Sequence, residues 1–243
     1  MTPPNPPIAP PGWLFVANDA GQIVEAHAQV KTIRDADLKI VHDFEQLHEL
    51  WLAGTGITDA GLEHIRHLTG LRTLVCDRTI ISDIGLASIA GMTHLDELGL
   101  RHTRVKGPGL VHLAAMNLRY LYLGHTPLDD AGLPFIGHLS ELTYLYLGDT
   151  RITDIGLQIL RRLPKIERLF LEETAITDIG VEEIARLNHL ESLDLYRTAI
   201  TDVSLELLGG ITTLKRLDIW STGVTAAGVA RLRERLPGVA VKV

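Results

Sequence analysis

Imidazole and carboxylate side chains recur in this sequence at a nearly fixed interval. His102, His125, Asp149 and Glu173 stand 23 or 24 residues apart, with Arg78 before them and Arg197 after. Such groups ligate zinc-like metals and carry acid–base chemistry, so one reading of the series is an enzyme, or a ligand or metal sensor. Residues one interval apart would stand on neighbouring strands about 4.8 Å apart, close enough in principle for His102, His125 and Asp149 to converge on an ion. The expected reading is a polar rim of solvated hydrogen bonds, with no metal, no cofactor and no catalytic residue. The Thr-Asp and Ser-Asp pairs, such as Thr58-Asp59, Ser82-Asp83 and Thr177-Asp178, resemble paired carboxylates. They are also the residue types that cap helix amino termini and complement the helix dipole, which is the role expected of them. No P-loop, Cys/His zinc cluster, G-x-S-x-G or G-x-G-x-x-G motif is present.

The interval belongs to an internal repeat. Leucine-like residues at positions 1, 4 and 6 of a unit return almost every 24 residues, from starts at Leu47, Leu71, Leu95, Leu118, Leu142, Ile166, Leu190 and Leu214. The first third of each unit alternates with period 2 and the last third with period 3 to 4, which predicts a strand followed by a helix. A single such unit cannot bury its apolar side alone and must stack on its neighbours. Cys76, the one cysteine, falls on position 6 and is expected to be a core thiol rather than a nucleophile. The position after the strand is threonine in every unit, from Thr55 to Thr222. Its hydroxyl is expected to satisfy backbone groups of the stacked turns.

The stretches "LRTLVCDRTIISDIGLASIAGMTH" and "IERLFLEETAITDIGVEEIARLNH" carry the whole pattern. On them the chain, over about residues 44–236, resembles the leucine-rich-repeat family. The variety is the short T-D-x-G-L type of bacterial proteins and of F-box and cysteine-containing repeat proteins that recognise substrates. The resemblance implies an α/β fold: a right-handed solenoid, or horseshoe, of about eight full repeats with a concave parallel sheet and convex helices. A substrate-recognition subunit of a larger complex is a further role it suggests, although residues 1–43 leave no room for a helical F-box beside the cap.

The ends depart from the repeat. Residues 13–43 are expected to form an amino-terminal cap, a hairpin in "WLFVANDAGQIVEA" that turns at Asn18–Gly21 and a worn repeat from about Ile23. Residues 1–12 are proline-rich and expected to be an extended, mobile tail outside the single domain of residues 13–243. At the other end, 237–243 predicts an edge strand, with Leu236, Val239 and Val241 at positions 1, 4 and 6. The unit from Leu95 is one residue short and carries "VKGPG" in place of "ITD", with Pro108 suited to a first helical turn.

With positions 1, 4 and 6 committed to the core, positions 3, 5 and 7 face the concave side. Those columns hold all five tyrosines, two of three tryptophans and one of four phenylalanines. Exposed aromatic surface marks interaction sites, and Tyr, Trp and Arg concentrate binding energy. The partner-binding residues expected are Trp51, Tyr120, Tyr122, Tyr144, Tyr146, Arg168, Phe170, Tyr196, Arg216 and Trp220, holding a protein or extended peptide. Gly124 and Gly148, beside the tyrosines, are expected to leave a hollow in front of them. A balance of 23 basic against 30 acidic residues, with no basic run, argues against nucleic acid. The short apolar "WLFVA" is neither a signal peptide nor a membrane span. A lone cysteine and the absence of Asn-x-Ser/Thr favour a cytoplasmic location, and the oligomeric state is left open.

Overall fold

The computed structural model describes residues 8–243, so the first seven residues of the expected tail lie outside the described residues. Strands β1 (Trp13–Ala17), β2 (Ile23–Ala28), β3 (Glu49–Trp51), β4 (Thr73–Val75), β5 (Glu97–Gly99) and β6 (Tyr120–Tyr122) form the first half of one open sheet. It continues through β7 (Tyr144–Tyr146), β8 (Arg168–Phe170), β9 (Ser192–Asp194), β10 (Arg216–Asp218) and β11 (Ala240–Lys242), all in chain order. Only β1 runs antiparallel, against β2; the other neighbours are parallel and pair at the repeat interval, as Leu145 does with Leu121 and Leu169.

Each unit returns to the sheet through a short helical segment on the other side. Four of these are α-helices: α1 (Asp59–Ile65), α2 (Asp178–Ile184), α3 (Asp202–Leu208) and α4 (Ala226–Arg235). The others are 3₁₀ turns, at Asp35–Val41, Gly85–Ile89, Pro108–Leu113, Leu133–Ile136 and Gly156–Arg162. The expectation of helices holds, with the tighter 3₁₀ form running through the middle of the array. Between the two layers the leucines of positions 1, 4 and 6 form a continuous core in which Leu50, Leu74, Leu98, Leu121, Leu145 and Leu169 are fully buried. Cys76 is buried among them, and burial pushes its thiol well above the usual range, out of reach of thiolate chemistry.

Side chains stitch one unit to the next. The post-strand threonine donates its hydroxyl to the carbonyl three residues back, as Thr126 does to Leu123 and Thr174 to Leu171, and so satisfies a buried acceptor. The Thr-Asp pairs do more than cap. Thr177 caps its own helix by accepting from the Ile179 amide, whereas the aspartates reach across to the following unit. Asp154 accepts from the Thr177 amide at 2.8 Å and from its hydroxyl at 2.6 Å. Asp35 with Thr58, Asp59 with Ser82, Asp130 with Thr153 and Asp202 with Thr225 repeat the arrangement. In the "VKGPG" unit Gly107 stands where this aspartate would be. There the backbones close directly: Gly107 has φ 131°, and a Cβ on it would lie 2.3 Å from the Gly132 Cα.

The sheet begins with the β1–β2 hairpin and ends on the exposed edge strand β11. Asn18 accepts from the amides of Ala20 and Gln22 at the β1–β2 turn, and Trp13, Phe15 and Phe44 pack ring to ring over the first repeat. At the far end the register corrects the sequence reading: Val241, not Val239, lies opposite Leu217 at position 4. The last unit keeps the full 24-residue interval from Leu214, and a shift of two leaves the inward face unchanged.

Candidate functional site

Among the described residues no element covers the concave face, and the strands place their third and fifth positions on it. The central rings form one half-buried cluster. Tyr144 lies 6.1 Å from Tyr120, 4.9 Å from Tyr122 and 5.0 Å from Phe170, and Tyr146 lies 5.6 Å from Phe170. Tyr196 and Trp220 form a separate stacked pair at 5.2 Å, with the Arg197 guanidinium 5.4 Å from Tyr196. Trp51 stands apart at the amino-terminal end, stacked on His27 at 5.6 Å. The expected track is therefore three aromatic groups, the second and third divided by Asp194 and Asp218 on β9 and β10. Arg168 and Arg216 are exposed on β8 and β10 and make no ion pair among the described residues.

The hollow expected before the tyrosines is filled. A Cβ on Gly124 would meet the Tyr146 ring at 2.0 Å, and one on Gly148 would meet the Glu172 carboxyl at 2.3 Å. The glycines are seats for side chains that lean in from the next strand, and the partner-facing surface is the top of those side chains.

Sequence reasoning did not single out Arg101, Glu172 and Asp194, which set the electrostatics of this face. Arg101 bridges to buried Asp77 at 2.6 Å and spreads its guanidinium over Tyr122 at 5.1 Å and Tyr146 at 5.9 Å. Burial pushes the Tyr122 phenol up to about 12 and raises that of Tyr144. Tyr146 is raised by burial and then by the Glu172 carboxylate beside it. These phenols are neutral hydrogen-bonding groups at physiological pH. Glu172 keeps one oxygen, Oε2, buried without a hydrogen-bond partner. Burial lifts the Asp194 carboxyl to about 6, and Glu172 and Asp218 add to the shift. Asp194 lines an open hollow of about 510 Å³ with Phe170, Ser192, Arg216, Asp218 and Lys242. Reading position 7 as one column gives the signal for Arg101 and Glu172, the charged residues that flank the glycine pair Gly124 and Gly148.

The polar rim has a backbone cause. Arg78, His102, His125, Asp149, Glu173 and Arg197 all adopt left-handed conformations, with φ between 50° and 57°. The same turn repeats in every unit, and its amide donates to the next unit's carbonyl, as His125 does to Gly148. His102 stacks face to face on His125 at 4.0 Å, and His125 Nδ1 lies 2.9 Å from Asp149 Oδ2. Burial, then His125 and Arg78, lowers the His102 pKa, which favours the neutral form of that imidazole. Glu173 pairs instead with Arg197 at 3.5 Å. Among the described residues the one set of three imidazole or carboxylate donors within 4.8 Å of one another is Glu25, His27 and Glu49, so the rim histidines do not converge on a shared point. Among the described residues no helix is long and apolar enough to cross a membrane.

Residues 186–209 match the family model described as Leucine Rich repeat. No curated protein matches the sequence. Solved structures do. An internalin F from Listeria monocytogenes is similar at 25% identity with a TM-score of 0.63, covering 74% of this chain and 50% of that one. The chain thus spans half the length of that internalin. Internalin C2 from the same organism gives 21% identity and a TM-score of 0.62 over 90% of this chain and 81% of its own. The plant peptide hormone receptor RGFR1 in complex with RGF2 gives 17% identity and 0.56 over 95% and 40%.

Proposed function

We propose that this leucine-rich-repeat solenoid is a non-catalytic scaffold that binds a protein or an extended peptide on its concave face. The observation that carries this reading is the cluster of Tyr120, Tyr122, Tyr144, Tyr146 and Phe170, five rings on three adjacent strands that no other described element covers, with Arg101 laid over Tyr122 and Tyr146 and Arg119 over Tyr120. Folding does not require this surface, because the leucine core lies on the other side of the same sheet. Rings held rigidly by neighbours lose little entropy on binding, and such side chains concentrate affinity. A receptor–ligand complex among the similar structures supports the general role.

Within this reading Trp51, Arg168, Tyr196, Arg216 and Trp220 extend the contact to both sides, and an extended, proline-containing segment suits the aromatic surface. The motif "ITDIG" in successive units supports the T-D-x-G-L type of bacterial repeat protein. A single buried cysteine supports a cytoplasmic setting that needs no disulfide. The test is retention of partners from the native lysate by wild type, a Tyr122→Ala/Tyr146→Ala variant and a convex-face Glu182→Ala control. Loss confined to the tyrosine variant is expected; equal capture by all three would sink the assignment.

A further inference from the structure

The amino-terminal end of the concave face holds a donor set that the repeat pattern hides, because two of its three members come from the worn repeat. β2 and β3 pair in parallel with Glu25 opposite Glu49 and His27 opposite Trp51. One ligand-type atom from each of Glu25, His27 and Glu49 lies within 4.8 Å of the others, and all three side chains are half-buried. His27 Nε2 is already 3.1 Å from Glu25 Oε2.

We propose that Glu25, His27 and Glu49 form a three-ligand site for a zinc-type divalent cation. One imidazole nitrogen with two carboxylate oxygens is a donor set for zinc and its first-row neighbours, whereas magnesium and calcium take oxygen alone. Ligands about 2.0–2.2 Å from a tetrahedral ion stand roughly 3.4 Å apart. The His27–Glu25 pair lies close to that spacing as it stands, and the Glu49 donor, within 4.8 Å of both, closes the remaining gap by a shift of its carboxylate while Oε2 keeps the Trp51 indole. Water completes the fourth position on the groove side.

Two further features act on this site. Trp51 fixes two of the three ligands from outside, stacking its ring on His27 at an angle of 7° and donating its indole N–H to Glu49 Oε2 at 3.1 Å. Such partners orient metal ligands and sharpen affinity. Negative charge is also in surplus, since no lysine or arginine among the described residues pairs with Glu25 or Glu49. The carboxyl of Glu97, two strands from Glu49, is raised by burial first and by Glu49 next.

The test titrates chelator-treated full-length protein with zinc chloride by calorimetry and counts bound metal by mass spectrometry after gel filtration. One equivalent is expected for wild type and for His102→Ala/His125→Ala, with none retained by His27→Ala or Glu49→Gln and no displacement by excess magnesium. Wild type that takes up no stoichiometric zinc overturns the proposal, as does undiminished zinc in the His27 and Glu49 variants. Circular dichroism of each variant guards against misfolding, and the wild-type titration stands without them.

Discussion

Replacing Asp154 by alanine removes two hydrogen bonds that cross from one repeat to the next, to the Thr177 amide at 2.8 Å and the Thr177 hydroxyl at 2.6 Å. Hydrogen bonds to charged acceptors contribute about 1.5–3 kcal/mol each. The site is only partly buried, so water replaces some of what is lost, and a total of about 2–3 kcal/mol is expected. For a chain of this length that lowers the melting temperature by roughly 5–10 °C. Asp154→Asn keeps the Oδ1 acceptor for the amide and loses the second acceptor and the charge, so it should cost about 1 kcal/mol. Urea denaturation followed by circular dichroism measures both, and hydrogen exchange at the Thr177 amide reports the contact directly. A cycle with Thr177→Val should show a coupling of about 1 kcal/mol or more. If Asn were as damaging as Ala while Thr177 exchange stayed unchanged, the aspartate would be acting on its own helix dipole and the cross-repeat argument would be wrong.

Leu145 is fully buried between Leu121 and Leu169, so Leu145→Ala should cost about 2–5 kcal/mol. Tyr146→Ala opens a gap that water fills and should cost less than half as much by the same denaturation assay; equal losses would reverse the assignment of faces. Burial penalises the ionised form of Asp194 in the folded chain. The stability this group provides is therefore intact below about pH 3.8, is lost as pH rises through about 6 and stays constant above. Asp194→Asn, which keeps an acceptor for the Tyr196 amide, should melt above wild type at pH 7.5 and level with it near pH 4. An Asn variant that melts at or below wild type at pH 7.5 would refute this.

By itself the sequence determined the solenoid, the strand positions of its full repeats and the side of the sheet each residue takes. A 24-residue period with leucine at 1, 4 and 6 admits one stacking, and alternation along a strand then assigns the faces. The core role of Cys76, the threonine ladder and the hairpin cap followed from the same logic, because each depends on neighbours within a unit. Tertiary structure decided what depends on the neighbouring unit. The motif "ITDIG" begins a 3₁₀ turn at Gly156–Arg162 and the α-helix at Asp178–Ile184, so the shared motif alone does not select the form. Aspartates that look like caps prove to be ties between repeats, since their acceptor oxygens reach groups 23 residues onward. Gly124 and Gly148 became seats for Tyr146 and Glu172 because side chains lean across strands about 4.8 Å apart, a distance the one-dimensional pattern does not contain. Glu25, His27 and Glu49 came together for the same reason: lateral pairing of β2 with β3, not spacing along the chain, makes them neighbours.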